Sequence, residues 1–108
     1  MAEVIKVTDE DFEDKVKGSA IPVLVDFYGT FCAPCQLVKP ILEELAAEYE
    51  GKLTVVEAEV SEAPAAAAAF DVLGVPTLVL VVGGEAKDTL TGSISKVEIL
   101  DVVKRHVG

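Results

Sequence analysis

Apolar and polar positions alternate from Glu3 to Val7, the period of a short strand. Thr8 followed three residues on by Asp11 is a capping-box-like start. It predicts a helix through about Val16, with Phe12 and Val16 on one face. Gly18 and Ser19 mark a loop, and Pro22 admits a strand only from its beginning. The run Val23 to Tyr28 is almost wholly apolar, which predicts a strand buried on both faces. One acid, Asp26, interrupts it.

A long helical pattern follows Gly29 and Thr30. Leu37, Val38, Ile41, Leu42, Leu45, Ala46 and Tyr49 recur at helical spacing and stop at Gly51. Pro40 lies inside the run and predicts a kink rather than a break, because the apolar face continues beyond it. Leu53 to Val60, rich in β-branched residues, predicts a third strand. Ser61 is the expected cap of a short alanine-rich helix to about Phe70. Val75 to Val82 predicts a fourth strand opening on Pro76, and Gly83-Gly84 turns it into a fifth near Ala86 to Leu90. Ser95 and Glu98 form a capping box for a last helix to about His106, burying Val97, Leu100 and Val103. Strands separated by helices require parallel neighbours joined by crossovers, and the terminal hairpin adds an antiparallel edge. The expected fold class is α/β: a four- or five-stranded mixed sheet with helices on both faces, as one domain over residues 1–108.

Composition narrows the function classes. The 108 residues are 51% hydrophobic, enough for one core. The greasiest stretch, Val75 to Val82, is far short of the ~20 residues that a spanning helix needs. The first residues show no basic segment followed by an apolar one, so a cytoplasmic, non-membrane protein is expected. A formal net charge of −10 argues against nucleic acid or anionic lipid as a partner. The acids Asp9, Glu10, Asp11, Glu13 and Asp14 read as a solvated face.

The chain holds two cysteines, three positions apart. A secreted disulfide scaffold would need more of them, more widely spaced. Phe31-Cys32-Ala33-Pro34-Cys35 sits between the apolar strand and the start of the long helix. Unpaired N–H groups and the positive end of the helix dipole there stabilise a thiolate at Cys32. Cys35, one turn on, is within reach to close a disulfide, and Pro34 suits the first turn, where its missing N–H costs nothing. That arrangement suits attack on a target disulfide followed by resolution of the mixed disulfide. Zinc would need four ligands, and His106 is the one histidine; no metal or other cofactor is expected. A c-type haem would need histidine where Gln36 stands. A structural disulfide across so small a loop removes little entropy from the unfolded chain. Asp26 is either a surface acid on an edge strand or a buried one that stays neutral or finds a partner.

Over essentially its whole length the chain resembles the thioredoxin family. The resemblance rests on Pro22 to Tyr28 with Asp26, on Cys32-Ala33-Pro34-Cys35, and on Pro40 with Ile41, Leu42, Glu43 and Glu44. Gly74-Val75-Pro76-Thr77-Leu78, Gly84 and Gly92 extend it to the C-terminal part. It implies the thioredoxin fold, a sheet flanked by four helices, with Cys32 as nucleophile and Cys35 as resolving thiol. It also implies a cis peptide before Pro76 facing the dithiol, and Asp26 as a buried acid that moves protons to and from Cys35.

The chain departs from the family pattern at five positions. Tyr28 and Phe31 stand where tryptophans are usual, Ala33 where glycine is, Gln36 where a basic residue is, and Glu57 where a lysine on the third strand is. The last two withdraw positive charge from the dithiol and predict a less acidic Cys32. The implied docking surface comprises Phe31, Ala33, Pro34, Val60, Gly74, Val75, Pro76, Gly92 and Ser93, a mostly apolar rim around the Cys32 sulfur. A target segment would pair its backbone with the residue before Pro76. The expected function is a monomeric thiol–disulfide oxidoreductase that reduces protein disulfides and is itself re-reduced by a thioredoxin reductase. An oxidase or isomerase, and a non-catalytic binding subunit, are the competing readings.

Overall fold

The computed structural model describes residues 3–107, and in it the apolar run Val23–Tyr28 is strand β2, at the centre of the sheet. Around it lie β1 (Ile5–Lys6), β3 (Thr54–Glu59), β4 (Thr77–Val82) and β5 (Glu85–Thr91), in the order β1-β3-β2-β4-β5. The first three pair in parallel, and β4 and β5 are antiparallel to their neighbours. The sheet therefore has five strands. The hairpin turn uses two residues with positive φ, Gly83 (61°) and Gly84 (83°), the conformation that a tight hairpin demands and glycine supplies.

Because β2 has neighbours on both sides and helices on both faces, its two sets of alternating side chains enter different cores. Val23, Val25 and Phe27 pack with Phe12, Val16, Val56 and Ala66 on one face. Leu24 joins Val38, Leu42, Leu45, Leu78, Leu80, Ile99 and Val102 on the other. The first face is closed by helix α2 (Pro64–Ala69) and a single-turn π-helix (Glu13–Lys17), the second by α1 (Ala33–Glu48) and α3 (Lys96–His106). Rings of Phe12, Phe27 and Phe70 meet with centroids 5.8–6.2 Å apart. Each such buried side chain contributes about 1.5–3 kcal/mol by leaving water. Alternation also puts Asp26 on the α1 side of the sheet, beneath the helix that carries the cysteines.

Several sequence expectations change in the folded chain. The first helix is shorter and wider than expected: Gly18 N donates to Glu13 O, five residues back, at 2.8 Å, closing a π-turn. Pro40 lies inside α1 without dividing it, as the continuing apolar face had implied. Leu37 and Val97 are exposed, whereas Ile99, Val102 and Val103 form the buried face of α3. The capping box at Ser95 and Glu98 is present, but the helix is rotated so that Val97 points away from the sheet. Strand β4 opens at Thr77 rather than Val75: Pro76 has no N–H to give the ladder, and the cis Val75–Pro76 bond belongs to the preceding loop. Ser61 does not cap α2. Its hydroxyl donates to Glu59 Oε1 at 2.6 Å, and Ala63 is the cap residue. The helix's free amides are taken by a distant residue: Ala65 N and Ala66 N donate to the two Asp9 oxygens at 2.9 and 3.0 Å. Asp9, expected as part of a solvated acidic face, is a helix cap. Among the described residues, no helix is long and apolar enough to cross a membrane.

Candidate functional site

The central strand and the longest helix deliver the site together. Strand β2 ends at Tyr28, Gly29 and Thr30 turn the chain, and Phe31 adopts a left-handed φ of 55°. That conformation is uncommon for a bulky residue. It leaves the Phe31 ring fully exposed and brings Cys32 to the cap position of α1. Pro34 lies in the first turn of α1, where no N–H is missed. Cys35 N donates to Cys32 Sγ at 3.3 Å, so the helix directs both a hydrogen bond and its dipole at that sulfur. The two cysteines form a disulfide with their Cα atoms 5.3 Å apart. Both are buried, and Cys35 lies deeper in the α1 turn.

Behind the disulfide a cleft of about 260 Å³ is lined by Asp26, Tyr28, Gly29, Thr30, Phe31, Cys32, Cys35, Gln36, Lys39 and Glu57. Asp26 is 2% exposed, which excludes the reading of a surface acid on an edge strand. Its Oδ1 is the one buried side-chain polar atom among the described residues without a hydrogen-bond partner in the protein. Burial, then the Glu57 carboxylate, pushes its pKa up to about 7, while Lys39 acts in the opposite direction. Glu57 sits on β3 in register with Asp26, and its carboxylate is 4.0 Å from Lys39 Nζ. Tyr28, at the rim, is also raised, by burial first and by Glu57 next.

The other residues expected around the sulfur fall into three groups. Phe31, Ala33 and Pro34 are exposed beside Cys32, and Gly74, Gly92 and Ser93 are exposed on the loops that flank the cis bond. Val75 is half-buried and Pro76 buried; a Cβ added to Gly29 would lie 3.3 Å from Val75 Cγ2, so the two loops touch. Gly92 N donates to Pro76 O at 3.2 Å, which ties the third loop to the second. Val60 is partly buried and packs on the first core, with its amide bound to Tyr28 O at 2.9 Å. Sequence reasoning missed Leu73, Lys39 and Thr77. Leu73 is fully exposed and lines a groove of about 380 Å³ with Asp71, Gly74, Val75, Thr91 and Gly92. Its signal was a bulky apolar residue in a loop directly before Gly74. Lys39, four residues after Cys35, was placed by helical spacing one turn behind the thiol. Thr77 is buried and its hydroxyl donates to Gly74 O at 2.6 Å, bracing the loop.

A helix-capping cysteine, a second cysteine one turn inside and a buried acid behind them define a protein that exchanges disulfides. The family profile described as Thioredoxin matches residues 3–105. Thioredoxins from Staphylococcus aureus strains Mu50, MW2 and N315 are each 40% identical over 104 residues, covering 96% of this chain and 98% of theirs. The chain belongs to the thioredoxin family. It is a dithiol–disulfide redox carrier with thiol–disulfide oxidoreductase activity, and its redox group is the disulfide itself. Among the described residues, no group of three or more His, Cys, Asp or Glu is placed to hold a metal ion.

Proposed function

We propose that the protein works in the reducing direction, as a single-domain cytoplasmic monomer that delivers electrons to disulfides of target proteins. The observation that carries this reading is the pairing of a cap-position sulfur with an unpartnered acid behind it, Cys32 in front and Asp26 at the back. Cys32 thiolate attacks one sulfur of the target disulfide, and the other target sulfur leaves as thiolate. A mixed disulfide now joins target and Cys32. Asp26 takes the proton of Cys35, through water, and the Cys35 thiolate attacks Cys32. The Cys32–Cys35 bond forms, the target leaves reduced, and two electrons have passed to it. A thioredoxin reductase then restores the dithiol.

Phe31, Ala33, Pro34, Val60, Gly74, Val75, Pro76, Gly92 and Ser93 form the docking surface in this reading, with Leu73 added to it. Their lack of charge suits an extended peptide segment held by its backbone, which adds like a strand beside Val75. The net charge of −10 supports a partner other than nucleic acid or a membrane surface. Cysteine usage supports a reducing compartment, since both thiols serve one site. The equilibrium potential of the Cys32–Cys35 couple against glutathione tests the direction of electron flow. A reductase requires a value near roughly −270 mV, and a value of about −120 to −180 mV would make the protein an oxidase or isomerase instead.

A further inference from the structure

The cleft behind Cys35 holds two carboxylates where the resolving step uses one. Asp26 and Glu57 are register partners on adjacent parallel strands, so their side chains leave the same face of the sheet and line the same cleft. Glu57 is not a solvated surface acid: its side chain is 16% exposed, against 2% for Asp26 as a residue. One cation lines the cleft. Lys39 reaches in from α1 to 4.0 Å from Glu57, half-exposed and at the outer limit of an ion pair. The groups facing Asp26 are thus Glu57 from β3, Lys39 and Cys35 from α1, Cys32 at its cap and Tyr28 from β2 itself. On β4 its register partner is the uncharged Leu78.

We propose that Glu57 is a positioning residue for the resolving step, acting through Asp26: its carboxylate, on the same face of the sheet and in the same cleft, makes Asp26 a strong enough base to take the Cys35 proton, and Lys39 limits that effect from the helix side. This inference rests on the reading of Asp26 as proton acceptor. The physical need is plain. A carboxylate of ordinary basicity lies several pH units below a thiol and accepts its proton poorly. Burial strengthens the base, and a second carboxylate on the same face strengthens it further. Both push Asp26 toward its protonated form, in which it accepts nothing. Lys39 opposes them. In the step itself Cys35 loses a proton and Asp26 gains it; no bond to Glu57 forms or breaks. The negative charge moves from Asp26, the register partner of Glu57, to the Cys35 sulfur on α1, so Glu57 favours the transfer as far as it lies nearer Asp26 than that sulfur.

Two readouts test this. Carbon-13 NMR of the Asp26 carboxyl follows its titration directly, and single-turnover reduction of insulin disulfides across pH follows its use. Glu57→Gln should lower the Asp26 titration midpoint by about one pH unit, and Lys39→Gln should raise it. Glu57→Gln should also slow single turnover roughly threefold above pH 8, where Asp26 is ionised in both proteins and only its base strength differs. In an Asp26→Asn background, Glu57→Gln should no longer change the rate. An Asp26 midpoint that Glu57→Gln leaves in place overturns the inference whatever Asp26 does. An equal rate effect in the Asp26→Asn background overturns it too, since Glu57 would then act on the thiols directly. If Asp26→Asn leaves the rate profile intact while the midpoint still moves, Asp26 is not the acceptor, and the inference fails with that reading rather than on the geometry.

Discussion

The amide of Cys35 lies 3.3 Å from the sulfur of Cys32, a backbone donor aimed at the atom that must carry negative charge. The relation is one-sided, because Cys32 is the cap and Cys35 is already inside the helix. Cys32→Ser should therefore abolish disulfide reduction, whereas Cys35→Ser should accumulate mixed disulfides with targets. Alkylation of the reduced protein followed by mass spectrometry reads the same asymmetry. Preferential labelling of Cys35 at neutral pH would reverse the assignment.

Asp26 makes stability depend on pH in a defined direction. Its folded pKa, about 7, lies above the ordinary 3.8, so ionisation favours the unfolded chain. The cost is absent below about pH 4, grows by about 1.4 kcal/mol per pH unit and is complete above about pH 7. Asp26→Ala should leave the oxidised protein more stable at pH 8 by roughly 2–4 kcal/mol after allowance for the small void, and confer no such gain at pH 4. Denaturant melts at the two pH values measure it. A variant less stable at both would mean that the acid is a structural group.

Phe31 is fully exposed yet held at a φ of 55°, so its ring contributes nothing to the core. Phe31→Ser should leave the melting temperature within about 2 °C of wild type. It should raise KM for a protein disulfide severalfold while turnover of a small aromatic disulfide stays the same. Equal losses on both substrates would place the ring's role in the chemistry rather than in docking.

Asp9 tests a contact on the opposite side of the molecule. Its carboxylate takes two amides of α2, and Asp9→Ala should destabilise the protein by about 1–2 kcal/mol. Asp9→Asn should restore part of the loss, and chemical denaturation compares the three. An unchanged midpoint for Asp9→Ala would show that water caps the helix equally well.

Much of the site is legible in the chain because it is local. The spacing of Cys32 and Cys35, the proline between them and the apolar strand before them are set within fourteen positions of one another. The acid in Val23–Tyr28 is visible for the same reason: its neighbours along the chain announce a buried strand. The faces of the helices were less legible. Leu37 and Val97 fit the apolar period but sit at the edge of the buried stripe, and only the angle at which a helix meets the sheet decides which edge is covered.

What the sequence by itself determined is the succession of elements, the dithiol at a helix start and the presence of an acid within an apolar strand. Each depends on periodicity, caps and turn residues that act over a few positions. Only the tertiary structure decided that Glu57 and Lys39 surround Asp26, that Leu73 lies in a groove beside Gly92, and that Asp9 rather than Ser61 serves α2. Those residues are brought together by parallel strand register and by crossovers that close long loops. Such pairings are selected by the joint packing of two cores on one sheet, so no short window of the chain encodes them.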